Sequence, residues 1–108
     1  MSYLPWLDEL LSAGMASLGD AFRQQQAQYI GTQQCNDGGF HGPAGGSDIY
    51  YTDFALRALT LLAPGSAAIG RAASFVSRSA GTAGNVLQCF SVLNSARIMR
   101  LNGITAEI

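Results

Sequence analysis

A chain of 108 residues that is 48% hydrophobic and 12% charged is long enough to close one packed core and too apolar to stay disordered. Its formal net charge is −1, and its six basic residues are all arginines scattered along the chain. That pattern excludes the concentrated basic surface that nucleic acid or anionic lipid requires.

The first residues, Met1 to Glu9, carry acids where a signal peptide would carry bases, and no apolar run approaches the roughly 18 residues that span a bilayer. The expectation is a soluble, cytoplasmic protein with no integral membrane segment. Cys35 and Cys89 lie in separate segments without a C-x-x-C spacing, so both are expected to be reduced, semi-buried packing residues.

Leu4, Leu7, Leu10, Leu11, Met15 and Leu18 recur at intervals of three and four, with Pro5 in a first turn that tolerates it, which predicts an amphipathic helix over 4–17. Gly19 interrupts the pattern. Asp20 is expected to cap a second helix over 21–34, glutamine-rich and outward-facing, with Phe22, Tyr29 and Ile30 as its apolar members.

Cys35 to Gly46 is so dense in glycine and proline that a loop with several positive-φ positions, Gly39 among them, is expected in place of regular structure. Ser47 or Asp48 caps a third helix running to Leu62, apolar enough to be buried on most sides. Pro64-Gly65 ends it. A fourth helix is expected from Ser66 to about Ser79, a loop over 80–84, and a fifth helix over 85–101 with Val86, Leu87, Cys89, Phe90, Val92, Leu93, Ile98 and Met99 as its apolar set. No segment alternates with period two for long enough to make a strand, so the expected class is all-α with about five helices in a single domain, 1–108.

A polar helix, a loop and an apolar helix follow one another twice. Arg71-Ala72-x-x-Phe75-Val76 echoes x-x-Tyr29-Ile30 at helical-hairpin spacing, which suggests one repeat over about 20–63 and a partial second over about 66–101. Tyr29-Ile30, Gln34, Gly38 and Phe40 fall on the recurring motif of the α/α-toroid superfamily, which holds the protein prenyltransferase β subunits and the squalene-hopene and oxidosqualene cyclases. Asp37-Gly38-Gly39-Phe40 is similar to the prenyltransferase version, and Ser47-Asp48-x-Tyr50-Tyr51-Thr52-x-Phe54-Ala55-Leu56 resembles its inner-helix consensus more closely still. The basic opening is missing at Gln25-Gln26, and the second copy lacks the glutamine and the Gly-Gly-Phe.

Physically the motif is a fastener: the Gln34 amide can satisfy backbone groups exposed at the loop while an aromatic packs over it. Gln34, Asp37, Gly38, Gly39 and Phe40 are accordingly read as structural, and Asp48 as a helix cap. The prenyltransferases hold zinc through Asp, Cys and His, and what the resemblance implies here is incomplete. Asp48 matches the aspartate, Tyr50 stands in the cysteine's place, and the fifth helix has no histidine. His41 is read as a solvated loop residue. The cyclases use an Asp-x-Asp-Asp acid, whereas Asp53 is isolated. No catalytic or metal residue is therefore assigned and no cofactor is expected, zinc entering only if the chain is a prenyltransferase after all.

Tyr50 and Phe54 are the candidate ligand-binding residues, Phe54 because it matches an aromatic that lines the isoprenoid funnel of the superfamily, with core packing as the competing reading. A complete toroid has about twelve helices against the five expected here, so self-association or a longer toroid partner is expected to cover the apolar flanks. The leading expectation is a module that binds an isoprenoid-like ligand or a protein partner. The alternatives are a prenyltransferase or terpene cyclase completed by another subunit, and a purely structural assembly module.

Overall fold

The computed structural model describes residues 3–106, and these are predominantly helical. Helix α1 (Tyr3–Ala16) precedes α2 (Asp20–Gly31), a two-residue strand pair β1 (Phe40–His41) and β2 (Ser47–Asp48), then α3 (Ile49–Leu62), α4 (Ala67–Arg71), α5 (Ala73–Thr82) and α6 (Val86–Leu101). The side chains of Leu4 and Met15, expected on the apolar face of α1, lie outside the described residues.

Helix α3 is the centre. It packs most extensively on α6 and also meets α1, α2, α4 and both strands. Asn94 Nδ2 donates to Asp53 Oδ1 at 2.7 Å, and about two turns on Asn102 Nδ2 donates to Thr60 Oγ1 at 3.1 Å. Because the partners advance together along both chains, α3 and α6 run parallel. Phe40, Leu56, Leu59, Ile69, Val76 and Met99 fill the space behind them, each at most 1% exposed. Burying each removes about 1.5–3 kcal/mol worth of apolar surface from water.

Caps follow side-chain chemistry. Asp48 accepts from Tyr50 N at 2.8 Å and Tyr51 N at 3.2 Å, as expected, and Asn85 accepts from Gln88 N at 2.8 Å at the start of α6. Asp20 does not cap α2. Gly19 holds that position, and Asp20 inside the first turn pairs with Arg23 at 2.6 Å.

Several other expectations are corrected. The loop at 35–46 contains a hairpin: Phe40 pairs with Asp48 and His41 with Ser47, while Gln34 bridges to Phe40. Gly45, at φ 89°, supplies the reversal between the strands. Helix α2 stops at Gly31, so Gln34 lies in the turn beyond it.

The single helix expected from Ser66 bends at Ala72, whose N–H bonds back to Ile69 O at 3.2 Å. The carbonyl it would otherwise use, Ala68 O, is taken by Gln34 Nε2 at 2.9 Å. Helix α5 then continues through Thr82, leaving a shorter connection to α6 than the expected loop.

The apolar helices are also less buried than expected. Tyr50, Tyr51 and Phe54 of α3 are exposed, as are Val86, Leu87, Phe90 and Leu93 of α6. Cys89 is exposed and Cys35 half-buried, both as free thiols.

Candidate functional site

The site begins at the turn that follows α2. Gln34 Nε2 donates to Gly38 O at 3.0 Å and Ala68 O at 2.9 Å, and its Oε1 accepts from Arg71 Nε at 3.2 Å. One side chain thus ties the turn to α4 and leaves neither end of its amide idle. The acceptor side goes to an arginine, where a backbone N–H was expected.

Asp37 Oδ1 accepts from Gly39 N at 3.0 Å and from the Ser47 hydroxyl, which joins the turn to β2. Arg78 approaches its other oxygen at 3.8 Å, with the guanidinium 6.0 Å from the centre of the Phe75 ring. The Ser47 hydroxyl above all, with the Gly39 amide and Arg78, holds the Asp37 carboxyl below its ordinary value.

The glycines serve close approach. Gly38 has φ 91°, and a Cβ there would fall 2.1 Å from Arg71 O. Gly39 is not a positive-φ residue, contrary to expectation. It is needed because a Cβ would meet the Ser47 side chain at 2.6 Å and the Phe75 ring at 2.9 Å. With the turn drawn down this far, Phe40 enters the core and its N–H donates to the buried Thr52 Oγ1 at 2.9 Å.

Fixing Phe40 fixes what surrounds it. Between α2, β1 and α3 an open groove of about 440 Å³ is lined by Tyr29, Ile30, Gln33, Phe40, His41, Gly42, Pro43, Tyr51, Phe54 and Ala55. That volume lies within the range of small-molecule sites. Gly42 lies so close under the Tyr51 ring that a Cβ would fall 2.3 Å from it, so the ring is seated on backbone.

Phe54 is 72% exposed at the edge of the groove and Tyr29 faces it from α2 at 65%. His41, expected as a solvated loop residue, is half-buried in the groove wall. Its Nδ1 donates to Gly42 O at 2.7 Å, which leaves Nε2 of the neutral ring as an acceptor.

The two candidate ligand residues separate. Phe54 lines this groove, whereas Tyr50 turns towards α6, its hydroxyl 3.5 Å from Asn85 Oδ1, and shares with Tyr51 and Phe54 a shallow apolar depression beside it. Asp53 lies in the seam between α3 and α6, where burial raises its pKa against the opposing pull of the Asn94 hydrogen bond and of Arg57 and Arg97. Among the described residues no three His, Cys, Asp or Glu side chains stand together as a metal site needs, and Asp48, Cys89 and His41 form no such cluster. No described helix is long and apolar enough to cross a membrane.

Sequence reasoning missed Tyr51 and His41 as groove residues and read Tyr29 only as part of the outer helix. The spacing of Tyr51 from the Asp48 cap was visible, but its neighbour Gly42 is brought to it by the hairpin, for which the sequence carries no alternation. Comparison of the chain with protein-family models, curated proteins and solved structures finds no match.

Proposed function

We propose that this chain is a binding module that holds an apolar, isoprenoid-like chain in the groove between α2, β1 and α3. The observation that carries the reading is the position of Phe54, 72% exposed at the lip of a 440 Å³ groove whose floor is the buried Phe40. A ring of that size left in water gains free energy when a flexible hydrocarbon covers it. Tyr29 and Tyr51 flank the same space with apolar ring faces, and the His41 Nε2 acceptor and Gln33 amide supply polar partners for a hydroxyl at one end. The resemblance of 29–59 to the hairpin repeat of the α/α-toroid proteins supports the choice of an isoprenoid over other apolar chains.

Titration of the full chain with farnesol, followed by intrinsic tyrosine fluorescence, tests the reading. Saturable one-to-one binding is expected, weakened at least about tenfold, or ~1.4 kcal/mol, in Phe54→Ala. Non-saturating partition, or equal affinity in Phe54→Ala, would refute it.

A further inference from the structure

Helix α6 is apolar on two sides. Its buried side mixes Val92, Ala96, Ile98 and Met99 with Ser91, Asn94 and Ser95, while Val86, Leu87, Phe90 and Leu93 point outward with 60–82% of their area exposed. Burying hydroxyls and an amide while leaving a Phe and two Leu in water is unfavourable for an isolated chain. One of the buried groups, Ser95 Oγ, has no hydrogen-bond partner.

The neighbouring helix α3 also leaves apolar side chains in water. Because α3 and α6 are parallel and joined through Asp53–Asn94 and Thr60–Asn102, helical periodicity turns Tyr50 and Phe54 of α3 to the same side as Val86, Phe90 and Leu93 of α6. Leu87, 69% exposed, follows closely on the Asn85 cap that the Tyr50 hydroxyl approaches. Helix α1 lies over the other end of this face, where Glu9 and Ser12 meet Arg57, Leu61 and Leu101, so the uncovered part is the half nearest the start of both helices.

From this arrangement we infer that the α3–α6 face is the interface through which two copies of this chain pair about a two-fold axis. Area favours it. With ~200 Å² for an aromatic side chain and roughly 150 Å² for an aliphatic one, the five residues Tyr50, Val86, Leu87, Phe90 and Leu93, leaving Phe54 to the ligand groove, expose about 520 Å². That lies at the upper end of the largest patch usual on a monomer, about 300–600 Å², a size that is often functional. Two such patches together remove about 1,040 Å², which reaches the roughly 1,000 Å² that a specific interface needs.

Charge favours a second copy over another partner. None of the five residues is charged, so the patch can meet itself without like-charge repulsion, the condition an isologous interface imposes. A lipid surface would be favoured by a basic rim all round, whereas the only arginines on α6, Arg97 and Arg100, lie at its far end.

Phe90 and Val86 do not line the ligand groove, so this interface can be tested apart from ligand binding. Sedimentation velocity of the full chain at a concentration on the order of 100 µM is expected to show a dimer. Phe90→Asp and Val86→Asp, both at exposed positions, are expected to raise the dissociation constant at least about 30-fold with unchanged helical circular dichroism, while Gln25→Asp on α2 leaves the dimer intact. A monomeric wild-type chain overturns the inference, as does a dimer that survives both aspartate variants. A monomer that floats with phosphatidylcholine vesicles also overturns it, giving the face to lipid.

Discussion

Replacing Gln34 by alanine tests how the turn is fastened. The substitution removes donors to Gly38 O and Ala68 O and the acceptor of Arg71 Nε. Each hydrogen bond contributes about 1 kcal/mol net, and a carbonyl left dry costs about 1–3 kcal/mol. Gln34 is half-buried, so water regains part of what is lost and the contact to the exposed Arg71 counts for little. The expected loss is about 2–3 kcal/mol, or a fall of roughly 10–20 °C in Tm for a chain of this size. Urea denaturation followed at 222 nm measures it, with exposed Gln25→Ala as the control expected to stay within about 0.5 kcal/mol of wild type. Gln34→Glu separates shape from hydrogen bonding, because it keeps the acceptor for Arg71 yet presents an anion to two carbonyl oxygens, and it is expected to be as damaging as alanine. A Gln34→Ala midpoint indistinguishable from that of Gln25→Ala would refute the fastener.

Gly38→Ala combines a φ of 91° with a Cβ driven onto Arg71 O and is expected to cost more than about 3 kcal/mol, whereas Gly45→Ala, at φ 89° in open space, costs only the ~1–2 kcal/mol of the left-handed conformation. Thermal melts of the two variants check the contrast, and equal losses would count against close packing at Gly38. Thr52→Val keeps the shape of a fully buried side chain but orphans Phe40 N, so a loss of about 1–3 kcal/mol is expected by denaturant titration. The two shifted carboxyls act in opposite directions with pH. Asp37, depressed, contributes stability that is lost as pH falls through its folded pKa. Asp53, raised, binds its proton more tightly when folded, so protonation favours folding as pH falls through its folded pKa towards the ordinary carboxylate value. Stability against pH in Asp37→Asn should therefore lack the acid loss, and in Asp53→Asn the opposing gain. Curves parallel to wild type in both would contradict the assignments.

What was legible in the sequence is what local chemistry decides. The cap at Asp48, the helix start at Ser66, the break at Pro64-Gly65 and the bend marked by Gln34, Gly38 and Phe40 act over a few residues, and the structure realises them. The short strands escaped because two-residue pairing leaves no alternation, and the bend at Ala72 because its cause, Gln34 taking Ala68 O, comes from 34 residues away. Composition misled at α3 and α6. Apolar residues there imply burial only if the faces are covered, and in α6 Ser91, Asn94 and Ser95 share the buried side with Val92, Ala96, Ile98 and Met99. Phe54 was found through its motif position; Tyr51 and His41 enter the groove only once the hairpin folds back.

Whether the groove beneath Phe54 takes an apolar chain is decided by mapping amide and aromatic chemical-shift changes as farnesol is added to the isotopically labelled chain. Saturable changes are expected to concentrate at Tyr29, Ile30, His41, Tyr51, Phe54 and Ala55, which line the groove. Changes confined to the exposed edge of α6, or none at saturating ligand, would contradict that expectation.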